Sequence, residues 1–181
     1  ALLNYAFETS FRAFALAPEE HVQIGEALQT LGTKAGIYGM IGGQVIDVGK
    51  TGQAIEKEVL DTIYELKTAA LIEAAMMVGA ILAGASKEEV QTVEKIASSV
   101  GIAFQIQDDI LDVTSTPEVL GKPVHSDEKN EKTTYVTLMG AQEAARLVEA
   151  KSQEAVRLLK TLPGENEYLE QLLIRLIHRD R

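Results

Sequence analysis

The chain has 181 residues, 46% of them hydrophobic, which is enough for one substantial core, so residues 1–181 are read as a single domain. Seventeen basic against 27 acidic residues leave a net charge of -10, which excludes nucleic acid or an anionic membrane surface as the main partner. Cysteine is absent, which excludes a disulfide framework, thiol catalysis and a cysteine-bound metal, in keeping with a cytoplasmic location.

No Met, signal peptide or transit sequence precedes Ala1, which falls inside a helical pattern, so the chain reads as an interior cut. Residues 1–16 carry Leu2, Leu3, Ala6, Phe7, Phe11 and Phe14 at mixed three- and four-residue spacing, the mark of a helix. Pro18 opens the next helix, with Glu19 and Glu20 at the positive end of its dipole. Its pattern runs through Ile24, Leu28, Leu31 and Ala35 and on to Gln44. Gly36, Gly39 and Gly43 lie near one face of it, where they would admit another backbone very closely. Gln44 and Asp47 are the polar residues just beyond that could meet a ligand.

Gly49 to Gly52 form a break, and a long helix follows from Ile55 to about Ala83. Lys67 is the only cation between Lys57 and Lys87, in the least polar part of the chain. Such a lysine can simply snorkel to water. Beside a cluster of acids it becomes a candidate phosphate ligand, with Thr68 next to it. The longest apolar run, residues 74–85, has 12 residues against the ~20 that cross a bilayer, so no transmembrane segment is expected. Ser86 and Glu89 make a capping box that starts the next helix near Lys87.

That helix, ending near Val113, carries the most informative pattern. Gln105, Asp108, Asp109 and Asp112 fall at i, i+3, i+4 and i+7 and share one face. The other faces hold Ile102, Phe104, Ile106, Ile110, Leu111 and Val113, the reverse of a surface helix. The acids are therefore expected to look into a cavity. At about 6 Å and an effective dielectric of about 20, two such carboxylates repel by about 3 kcal/mol, so protons or a cation must relieve them. Oxygen-only ligands favour a hard ion, and magnesium is held by one or two carboxylates together with water and phosphate oxygens. The ordinary alternative is a solvated acidic patch.

Residues 114–131 are a long polar connection that starts just after the acids and carries Gly121, Lys122 and Lys129, with Lys132 following, so it could close over an anion. Residues 141–162 read as an amphipathic helix ended by Pro163 and Gly164, and residues 168–177 as another. The architecture implied is an all-α bundle of about six or seven helices with a central cavity open at the acidic end.

Together these residues resemble the C-terminal part of a trans-type isoprenyl diphosphate synthase of the bacterial farnesyl or geranylgeranyl kind. The resemblance runs in order through Leu2 to Glu8, Gly42 to Asp47, Lys67 with Thr68, Phe104 to Asp112, and Gly121, Lys122, Ser126, Asp127 and Lys132 to Tyr135. It implies an isoprenoid-synthase-type bundle, with magnesium (manganese possible) holding an allylic diphosphate between two aspartate-rich motifs. The diphosphate then ionises and the cation is attacked by isopentenyl diphosphate. Asp108, Asp109 and Asp112 would be the second motif. Lys67, Lys122 and Lys132 would hold the diphosphate. Thr68 and Gln105 would face the cation, and Gln44 with Asp47 would support that wall. Arg179 or Arg181 could touch the second diphosphate. The resemblance also implies a homodimer.

Two departures accompany it. The first aspartate-rich motif lies upstream of Leu2 in such enzymes, so the N-terminal helices are expected to be missing and the chain alone to be inactive. His125 stands where such enzymes usually have glycine. A non-catalytic partner subunit is the competing reading, and a terpene cyclase a third; a partner freed from chemistry has no reason to keep three mutually repelling acids.

Overall fold

The computed structural model describes residues 1–116 and 132–179. Lys122, Lys129, His125 and Arg181, with the other motif residues between 117 and 131, lie outside them. Among the described residues every regular element is helical, as the composition requires. In order these are α1 (Leu2–Ser10), α2 (Ala13–Leu16), a 3-10 turn (Pro18–Glu20), α3 (His21–Ala35), α4 (Met40–Gly49), α5 (Lys57–Ile63), a π turn (Tyr64–Ala69), α6 (Ala70–Leu82), α7 (Lys87–Thr114), α8 (Tyr135–Met139), α9 (Ala141–Leu159) and α10 (Glu167–Ile177). The segments outnumber the six or seven expected because some helices are broken and one, α8, is too short to show a period.

α7 is the axis. Val93, Ile96, Ala97, Val100, Ala103 and Ile106 recur at helical spacing and are all buried, so this face alone contributes about 1.5–3 kcal/mol for each large side chain. Ser86 starts it with the expected capping box: its hydroxyl accepts from Glu89 N–H at 3.2 Å and Glu89 returns a bond at 2.6 Å. α9 lies along α7, while α6 packs between α7 and α3. Lys34 of α3 bonds Glu73 of α6 at 2.5 Å and Glu94 of α7 at 2.6 Å, tying all three helices through one cation. Burial opposes that charge, but the two carboxylates outweigh it and raise the Lys34 pKa above its usual value.

Three boundaries differ from the sequence reading. Residues 1–16 are two helices, because the Ser10 hydroxyl bonds back to the Ala6 carbonyl at 2.8 Å and Arg12 N–H takes an i−3 partner at 3.1 Å. The helix expected to continue from α3 to Gln44 stops at Ala35 and restarts at Met40. A Cβ on Gly39 would lie 1.9 Å from the Lys34 carbonyl oxygen, so this glycine serves its own tight turn and not a neighbouring helix. Only Gly43 of the three does the expected work: a Cβ there would lie 2.4 Å from Lys67 N. α9 ends at Leu159, short of residue 162.

The long helix from 55 to 83 is found as α5 and α6, but with the π turn between them. That turn is held from two sides. Gly43 of α4 abuts it at Leu66 and Lys67, and Gly101 of α7 abuts Ala69, where a Cβ would come within 2.5 Å of the Ala69 Cα. These approaches bring three backbones to one place. Among the described residues no helix is long and apolar enough to cross a membrane.

Candidate active site

Where α4, the π turn and α7 meet, a cavity of about 250 Å³ opens. Asp47 and Lys50 line it from α4 and its end, Tyr64, Lys67 and Thr68 from the π turn, and Gln105, Asp108 and Asp109 from α7. Lys132 and Thr133 close it from the segment that enters α8. Tyr64, Lys67 and Thr68 stand at i, i+3 and i+4, so one short turn aims all three inward.

Most of the polar groups are paired with one another. Lys67 donates to Asp47 Oδ2 at 2.6 Å, both side chains being partly exposed to the cavity. Thr68 donates to Gln105 Oε1 at 2.9 Å, and Gln105 Nε2 reaches Asp109 Oδ1 at 3.4 Å. Asp109, 3% exposed, also accepts from the Tyr64 hydroxyl at 2.5 Å and the Tyr135 N–H at 3.3 Å. Asp108 is different: its side chain is 31% exposed, and its Oδ1 accepts from Arg179 Nη2 at 2.7 Å. The Arg179 guanidinium lies 3.6 Å over the Phe104 ring, and its Nε is buried without a hydrogen-bond partner among the described residues. Burial lowers the Arg179 pKa and the Asp108 charge opposes that, so the group stays cationic.

The structure therefore brings Asp47, Lys67, Thr68, Gln105, Asp108, Asp109 and Lys132 to one cavity. Asp112 is as buried as Asp109, one turn further along α7, and is not among the lining residues. Gln44 is exposed and also outside the lining. Arg179 sits on an acid of the α7 motif. Lys50 and the hydroxyl of Tyr64 were not singled out from the sequence; a tyrosine on an apolar helix face has the signature of core.

Among the described residues no three His, Cys, Asp or Glu side chains are grouped closely enough to hold a metal by themselves. An accessible carboxylate in a cavity also lined by Lys50, Lys67 and Lys132 fits instead a magnesium ion that takes most of its shell from water and phosphate oxygens. Among the described residues, Asp108 is the most exposed acid of the α7 motif lining the cavity.

The described structure is an all-helical bundle in which acid, amide and lysine side chains converge on one cavity. The polyprenyl synthetase family model matches residues 4–172, and the chain belongs to that family. It is 39% identical to the farnesyl diphosphate synthase of Bacillus subtilis over 146 residues, 81% of this chain and 49% of that protein. It is 40% identical to geranylgeranyl pyrophosphate synthase 7 of Arabidopsis thaliana, covering 80% of this chain and 42% of that one. Among solved structures, a geranyltransferase of Helicobacter pylori complexed with magnesium and isoprenyl diphosphate superposes with a TM-score of 0.72 at 31% identity, over 86% of this chain and 51% of that one. The chain spans about half the length of the curated relatives it matches.

Proposed function

We propose that this chain is the lysine- and aspartate-bearing part of a magnesium-dependent prenyltransferase that joins an allylic diphosphate to isopentenyl diphosphate, in the short-chain farnesyl and geranylgeranyl class. One observation carries the reading: Lys67, Lys132 and Asp108 line a single cavity, giving a diphosphate fixed cations and a metal-bearing carboxylate together. The names of the similar enzymes support it.

Bound magnesium, or manganese in its place, would neutralise phosphate oxygens as the diphosphate leaves. Lys67 and Lys132 bind and orient that leaving group, their positive charge being already in place when negative charge develops. Asp47 keeps Lys67 aimed at the cavity while leaving two of its three donors for phosphate. The Thr68 hydroxyl oxygen and the Gln105 amide oxygen present dipoles to the positive carbon centre. Asp108 takes the metal. Asp109 and Asp112 complete the motif from buried positions, Lys122 adds a third cation, and Gln44 supports the α4 wall from outside. The same reading places the protein in the cytoplasm as a homodimer.

The deciding experiment is binding of inorganic diphosphate with and without magnesium, by calorimetry, in the wild-type chain and in Asp108→Ala. The variant is expected to lose the magnesium-dependent part of the affinity by about tenfold or more. Unchanged binding would make the non-catalytic partner subunit the better reading.

A further inference from the structure

Asp109 accepts from three separate parts of the fold. The π turn reaches it through Tyr64 at 2.5 Å, the start of α8 through the Tyr135 N–H at 3.3 Å, and α7 itself through Gln105 at 3.4 Å. Both carboxylate oxygens thus have donors, and at 3% exposure those donors stand in for water. Tyr64 gives the shortest of the three bonds. Its own ring is fixed, 6% exposed and 5.5 Å from the Tyr135 ring at an interplanar angle of 47°. A tyrosine locked in this way has little freedom to follow a moving carboxylate.

Successive residues of a helix point about 100° apart, so bonds that fix the rotation of α7 at Asp109 also fix the direction in which Asp108 leaves the helix. From this geometry we propose that Tyr64 is a positioning residue: it pins Asp109 inward as a pivot, and the pivot presents Asp108 to the cavity for the divalent cation. The inference rests on the functional reading above for the identity of that cation. Without the Tyr64 hydroxyl, Asp109 loses its strongest donor while still buried. α7 then loses its tie to the π turn at this point, and the rotation that presents Asp108 to the cavity is no longer fixed there. Spreading the Asp109 charge over three protein donors also reduces its repulsion of Asp108, which leaves Asp108 the better single ligand.

The test is manganese binding in the presence of inorganic diphosphate, followed by the electron paramagnetic resonance of free Mn2+. Tyr64→Phe removes one oxygen and is expected to weaken Mn2+ about tenfold, the scale on which supporting residues act on a metal. Asp109→Asn keeps an oxygen that accepts from Tyr64 and is expected to bind within about threefold of wild type, whereas Asp108→Asn loses binding. In an Asp109→Ala background, Tyr64→Phe adds nothing, because the proposed effect on the cation runs through that carboxylate. The proposal is overturned if Tyr64→Phe binds Mn2+ like wild type, or if its effect persists without Asp109. It is equally overturned if Asp109→Asn fails as Asp108→Asn does, since Asp109 would then be a ligand itself. Should Tyr64→Phe not fold, the Asp109→Asn result still decides. Should the wild type bind no Mn2+ with diphosphate, the functional reading falls and this inference falls with it; equal binding by wild type and Tyr64→Phe removes the inference alone.

Discussion

Arg179 holds Asp108, the most exposed of the three α7 acids, and it does so with the same kind of charge that a metal would bring. The guanidinium is thus a competitor for Asp108. Both partners are partly exposed, so solvent discounts the pair and the competition is mild. Arg179→Gln is expected to tighten Mn2+ about threefold in the presence of diphosphate, read by the same resonance signal; weaker binding would show that Arg179 assists the site instead. A second residue gives a pH signature. Burial, then the hydrogen bond and charge of Asp61, push the Tyr135 pKa from 10.0 up to about 12, against the pull of Lys57. The folded chain therefore keeps the phenol proton longer than the unfolded one. This contribution to stability is whole below pH 10.0 and is lost as pH climbs toward about 12. Urea melts at about pH 9 and about pH 11 are expected to differ less in Tyr135→Phe than in wild type. At this scale the sequence showed the acids, Gln105 and Lys67 through helical spacing and composition. It could not show that Tyr64 reaches Asp109 or that Arg179 reaches Asp108, since those partners lie 45 and 71 residues apart.

The glycines decide how the elements meet. Gly101 lets α7 touch the π turn, and the atoms an added methyl would strike belong to the Ala69 backbone and Cβ, which have no flexible end to swing away. Gly101→Ala is expected to cost about 1–3 kcal/mol in urea unfolding. Gly79, exposed inside α6, has nothing within 4 Å of such a methyl, and Gly79→Ala is expected to stabilise by about 0.5–1 kcal/mol. The start of α7 was legible because a capping box is local chemistry. The break between α3 and α4 was not: Gly39 and Gly43 look alike in a helical pattern, though one makes room for its own chain's carbonyl and the other for Lys67. The π turn was invisible too, since its six residues continue the apolar period on either side.

Over the whole molecule, apolar side chains are unevenly covered. Ile37, Tyr38, Val45 and Val48 are 62–79% exposed on the turn before α4 and on α4 itself, while the α7 face is sealed. The proposed homodimer would bury such a surface. Sedimentation equilibrium of the wild-type chain is expected to show a dimer, and Val45→Glu to shift it toward monomer; a wild-type monomer at all concentrations would sink the dimer. The all-α class was legible from composition and period alone. The cavity was not, because it exists only where α4, the π turn and α7 converge.

The π turn also sets a count. Its i→i+5 bonding holds one residue more than an α-helix of the same rise, so everything from Ala70 onward is rotated by about 100° from where an unbroken helix would leave it. Before the extra residue, α5 and Tyr64 answer to the cavity; after it, Glu73 answers to Lys34 across the bundle. Removing any one residue between 64 and 69 would yield a straighter and locally happier helix. It would also leave the two ends of that helix unable to satisfy both neighbours at once, so a single-residue deletion there would do more harm than most substitutions.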